Sequence, residues 1–161
     1  MLKHKPLYPA MIAAVSKTLE NMVFMEAMEH FDRTYEIPPE EVIWTSLLIH
    51  DPVQGEIRLA MQRDVLKKIT GNVFALDDEE ITQPQMEDIL NELLNTIAGL
   101  FMTNLLEDDQ EYKLGLPELG EGELPEADET DTIVWKLMTS DEEALQLYAT
   151  GAPLLALHEK N

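Results

Sequence analysis

The chain has 161 residues and a 45% hydrophobic content, enough for one globular domain with a real core. Its 32 acidic residues against 11 basic ones give a net charge of −21, a surface that repels phosphate backbones and anionic membranes. Cysteine is absent, which excludes disulfides, thiolate metal sites and a cysteine nucleophile.

The N-terminus places basic residues before a short apolar stretch, with no convincing cleavage site, and reads as the start of a helix. A helical pattern rich in Met, Ala and Leu runs from Pro9 to about Arg33 and is broken at Ile37-Pro38-Pro39. Val42 to Ile49 reads as a strand, residues 50–55 as a turn, and Glu56 to Met61 as its hairpin partner. Asp64 to Ile69 reads as a short helix ended near Gly71. Asp77-Asp78-Glu79-Glu80 lacks the spacing and glycine of a calcium loop and reads as solvated.

A second long helix is expected from Pro84 to Leu106, with Met86, Ile89, Leu90, Leu93, Leu94, Ile97, Leu100 and Phe101 on one broad face. Tyr112 to Leu116 reads as a strand ending at Pro117. Residues 118–131 read as an acidic exposed loop, and residues 132–148 as a terminal hairpin. Residues 152–161 read as a tail ordered in part at most. The order lacks βαβ alternation. It predicts one α+β domain over residues 1–161, two long helices on a mostly antiparallel sheet, with a hint of internal duplication.

Asp88, Glu92 and Asn95 stand at i, i+4 and i+7, so on a helix they form one line, and Gly99 extends it by a turn. Every amphipathic helix has a polar face, and such a line is often no more than that. Here, however, the surroundings of Asn95 are read as Ala98, Gly99 and Met102, small or uncharged residues that let another backbone approach. A helix-interior Gly costs up to about 1 kcal/mol relative to Ala, so Gly99 calls for a packing reason.

Asp88-x-x-x-Glu92-x-x-Asn95, followed after twenty-one residues by Pro117, resembles the motif of the CheC/CheX chemotaxis phosphatases. Leu114-Gly-Leu-Pro117 is similar to the strand that follows the family's active helix. A second copy opens on the first helix as Ser16-x-x-x-Glu20, but Val23 stands where Asn belongs. The chain is therefore more similar to a single-site CheX than to a two-site CheC, with the family's pseudo-duplicated fold as the expectation.

The resemblance implies a substrate, the aspartyl phosphate of a CheY-like response-regulator receiver that carries its own Mg²⁺ and lysine. A loose phosphoryl-transfer transition state leaves a helper protein little beyond aligning water. The resemblance assigns that role to Asn95, whose amide accepts from water and donates to a nearby oxygen. Glu92 would accept a charge-assisted hydrogen bond from the receiver's lysine, and Asp88, Ala98, Gly99 and Met102 would support the contact. No cofactor is expected in the chain itself. The second reading is a non-catalytic module that binds a receiver with the same face. A metal hydrolase is disfavoured: His4, His30, His50 and His158 are scattered, with no HExxH, G-x-S-x-G, Walker A or GxGxxG. A cytoplasmic location and a homodimer paired through a sheet edge complete the expectations, with no nucleic-acid or membrane partner.

Overall fold

The computed structural model describes residues 7–29, 37–122, 131–139 and 143–158. Helix α1 (Leu7–Met22) buries Leu7, Met11, Ala14, Val15, Thr18 and Leu19 along one stripe. It does not continue towards Arg33. The Val23 and Met25 amides both donate to the Leu19 carbonyl at 3.1 Å, and Phe24 takes a left-handed φ of 57°. Val23 and Met25 turn into the core while Phe24 is left 85% exposed. The chain then enters β1 (Ala27–Glu29), and the rest of the expected helix, residues 30–33, lies outside the described residues.

Strands β2 (Val42–Asp51) and β3 (Gly55–Gln62) form the expected hairpin, in register from Val42 opposite Gln62 to Ile49 opposite Gly55. Helix α2 (Arg63–Phe74) runs about one turn past Gly71, where the sequence suggests a stop. Gly71 is a packing glycine: a Cβ there would stand 3.1 Å from Ile81 Cδ1 and from the Leu76 carbonyl. The helix closes instead at Ala75, in a left-handed conformation, with the Leu76 amide returning to the Gly71 carbonyl at 3.0 Å. An exposed 3-10 turn covers Asp78–Glu80 before α3 (Gln83–Leu105).

After α3 come β4 (Lys113–Leu114), β5 (Glu118–Glu121), β6 (Thr132–Thr139) and β7 (Ala144–Thr150). The expected loop over 118–131 is thus a strand at its start. β5 pairs with β2 from Ser46 opposite Glu118 to Ile43 opposite Glu121. Gly120 makes this possible, because a Cβ there would overlap the Trp44 ring. Residues 123–130 lie outside the described residues. The C-terminal segment is not a loose tail over its described part. It forms α4 (Ala152–Leu155) and a 3-10 turn at Ala156–His158, and buries Leu154 and Leu157.

The described strands form one seven-stranded sheet in the order β1-β6-β7-β3-β2, with β4 and β5 both on the free side of β2. Every pairing is antiparallel. The order is two interlocked copies of one unit. Hairpin β2–β3 meets hairpin β6–β7 through β3 and β7. The unit's first strand crosses over in each half: β1 joins β6, and β5 joins β2. α1 and α3 open the two units, and α2 and α4 close them. The protein is α+β with this pseudo-duplicated plan.

All four helices pack on one face of the sheet. Their core meets Ile43, Leu47 and Ile49 of β2, Ile57, Leu59 and Met61 of β3, and the matching alternate residues of β6 and β7. The opposite face holds a smaller cluster of Ile37, Val42, Ala60 and Ala144 beside Trp44 and Tyr148. Arg58 lies there between the two aromatic rings, 5.4 Å and 5.9 Å from their centroids, and pairs with Glu56 at 2.8 Å.

Candidate functional site

Helix α3 is fixed at its start by a reciprocal cap. The Gln85 amide donates to Thr82 Oγ1 at 3.3 Å, and the Thr82 amide donates to Gln85 Oε1 at 2.9 Å. Pro84 sits in the first turn, where its missing N–H costs nothing. Near its other end, Asn104 Nδ2 donates to the Ala10 carbonyl of α1 at 3.2 Å. Between these points Met86, Ile89, Leu90, Leu93, Leu94 and Ile97 face the core.

Asp88, Glu92 and Asn95 lie on the opposite side, and all three are exposed. They share one line along a helix tied by side-chain hydrogen bonds to β2 and to α1. On one flank the half-buried Asn91 accepts through Oδ1 from the buried Thr45 hydroxyl at 2.7 Å. The same hydroxyl lies 3.2 Å from the Glu118 carbonyl, directly after Pro117. Thr45 therefore joins the motif helix to the strand that follows the motif proline. α1 packs against α3, which it meets through the Asn104–Ala10 bond.

Ala98 and Met102 do not belong to the exposed line. Both are fully buried. The buried stripe of α3 moves around the helix by about a quarter turn between its first half and its second, counted at 100° per residue. In the second half it comprises Ala98, Phe101, Met102 and Leu105. Ala98 and Met102 pack into the main core cluster together with Phe101, Leu105 and Leu106. Seven-residue spacing aligns Met102 with Asn95, but spacing carries no information about what later folds over it.

Gly99 remains on the line and is half-buried, for a reason the sequence does not announce. The returning segment lays the Tyr112 hydroxyl over it, 3.4 Å from where a Cβ would stand. Thr103, one turn on, donates its hydroxyl to the Gly99 carbonyl at 2.9 Å and lies 3.4 Å from the Tyr112 hydroxyl. Asn91, Thr45 and Tyr112 are the residues that reading the sequence missed. Asn91 carried the only signal, as a polar residue on the flank of an apolar stripe.

The second copy of the motif is incomplete in structure as well as in sequence. Ser16 is half-buried and Glu20 exposed, but α1 ends before the third position, and Val23 is core. Among the described residues no group of three or more His, Asp or Glu could hold a metal ion. No helix among them is long and apolar enough to cross a membrane. His4 and His30 lie outside the described residues.

The family described as chemotaxis phosphatase CheX matches residues 43–135, more than half of the chain. No curated protein sequence matches it. The fold is similar to that of the chemotaxis protein CheX from Vibrio vulnificus, with a TM-score of 0.71 and 13% identity over 91% of this chain and 96% of that one. It is similar to a CheX from Desulfovibrio desulfuricans, with a TM-score of 0.70 and 13% identity over 89% of this chain and 97% of that one. A third similar structure is the CheX–CheY–BeF₃–Mg²⁺ complex from Borrelia burgdorferi, with a TM-score of 0.61 and 16% identity over 88% of this chain and 95% of that one. The motif line on α3 lies within the matched span, and the chain belongs to the chemotaxis phosphatase CheX family.

Proposed function

We propose that this protein accelerates hydrolysis of the aspartyl phosphate on a CheY-like receiver domain in chemotaxis signalling. The observation that carries the reading is the exposed line Asp88, Glu92 and Asn95 on a helix held at its cap, its flank and its far end. A helper for this reaction needs little covalent chemistry, only groups fixed where a water must stand. The Asn95 amide would orient the attacking water, accepting through its oxygen and donating through its NH₂. Glu92, one turn earlier, would accept from the receiver's lysine and set the register that delivers Asn95. Asp88 would extend the contact. The Mg²⁺ belongs to the receiver in this scheme. Family membership supports the reading, as does the CheY partner of the similar Borrelia protein.

The same reading places the protein in the cytoplasm with its receiver, and pairs two copies through a free edge of the sheet. The test of function is turnover. A phosphorylated receiver mixed with a small fraction of an equivalent of the protein should lose all of its phosphate faster than in buffer. Acceleration confined to one receiver per protein molecule, or none despite binding, would make this a sequestering module instead.

A further inference from the structure

We infer that Tyr112 is a receiver-contacting residue, the wall that closes the site one helical turn beyond Asn95. The inference rests on the reading of α3 as the receiver-docking helix. Three observations lead to it. Gly99 stands four residues after Asn95, about 6 Å along the helix axis, and presents no side chain of its own. The space above it is filled by the Tyr112 hydroxyl, arriving from the segment between α3 and β4. Tyr112 nevertheless remains 38% exposed, so it borders the site and is not sealed beneath it.

The fold makes little use of that hydroxyl. Its contact with Thr103 is 3.4 Å, longer than the roughly 3.0 Å upper end of ordinary O–H···O bonds, and Thr103 already donates to Gly99 at 2.9 Å. The hydroxyl is therefore disposed to donate to an arriving partner. An exposed tyrosine also gives a partner a large rigid ring at small entropic cost, as contact residues at interfaces do.

The chemistry along the line then has a direction. Asp88 and Glu92 are acidic and suit a cation. Asn95 is neutral and can both donate and accept. Tyr112 is a neutral donor about two turns beyond Glu92, roughly 10 Å along the axis. It suits a hydrogen-bond acceptor, such as a backbone carbonyl on the rim of the receiver's phosphorylation site.

The test uses the full chain in excess over a phosphorylated receiver. The decay rate is followed against protein concentration, giving a half-saturating concentration and a maximal rate. Tyr112→Phe should raise the half-saturating concentration about three- to tenfold, leaving the maximal rate and the unfolding midpoint unchanged. Tyr112→Ala should raise it further. Half-saturation within twofold of native in both variants overturns the inference. So does a fall in maximal rate alone, or a loss of affinity matched by a lower unfolding midpoint in Tyr112→Phe. If the native protein binds the receiver without speeding decay, the phosphatase reading fails, and the same comparison is read from the binding titration. If it neither binds nor accelerates any receiver of its cell, both readings fall.

Discussion

The Thr45 hydroxyl donates to Oδ1 of Asn91 at 2.7 Å, joining the middle of the sheet's second strand to the middle of the motif helix. Asn91 lies between Asp88 and Asn95 in the chain, so this bond ties the helix to the sheet beside the exposed polar line. Thr45→Val keeps the shape and removes the donor, leaving a half-buried amide oxygen without its partner. Urea unfolding should show a loss of about 1–2 kcal/mol with an unchanged m-value. A change below a few tenths of a kcal/mol would mean that the helix is held by apolar packing alone.

Gly99→Ala tests the view of Gly99 as a gap filled from the same chain. The new Cβ would meet the Tyr112 hydroxyl at 3.4 Å, an ordinary contact with the end of a side chain. Relief of a helix-interior glycine should raise stability by about 0.5–1 kcal/mol. A loss of stability in thermal unfolding would show that the returning segment packs too tightly to yield.

Met102 separates the two placements most sharply. As an exposed contact residue it could be truncated with an effect within about 0.5 kcal/mol. As the fully buried residue it is, Met102→Ala should cost about 2–5 kcal/mol. Chemical denaturation decides between them.

Restoring the missing asparagine should not create a second site. Val23 follows the last residue of α1 and belongs to the core, so Val23→Asn buries an amide among apolar side chains. The expected result is destabilisation by about 1–3 kcal/mol, with no added activity when Asn95 is also replaced by Ala. Activity in that double variant would show that the first helix can be extended into a working copy.

Much of this was legible in the chain, wherever a local signal agreed with the packing. The boundaries of α3 came within a residue of expectation because its apolar residues keep a helical period from Met86 to Phe101. The β2–β3 hairpin was readable from alternation and its turn residues. The exposed polar line of Asp88, Glu92 and Asn95 was readable because helical offsets alone determine it. What was missed depends on distant partners. Nothing local announces that Phe24 takes a left-handed conformation and ends α1. The acidic segment at Glu118 has no alternating apolar pattern, and it becomes a strand only because β2 offers a free edge and Gly120 admits the Trp44 ring. Ala98 and Met102 were misplaced for the same reason, since their burial is decided by what lies beside the second half of the helix.

Asn95→Ala and Glu92→Ala should differ from all of these in leaving stability nearly unchanged, because both residues are exposed. Glu92→Ala should weaken both receiver binding and the rate of decay.

In the proposed function Asn95 does the chemistry and the rest of the line does the docking. The most direct measurement follows the decay of a radiolabelled phosphorylated receiver at saturating protein, native against Asn95→Ala, with binding titrated in parallel. Decay should be fast with the native protein and at the buffer rate with Asn95→Ala, with similar affinity for both. Equal decay rates at equal saturation would contradict it.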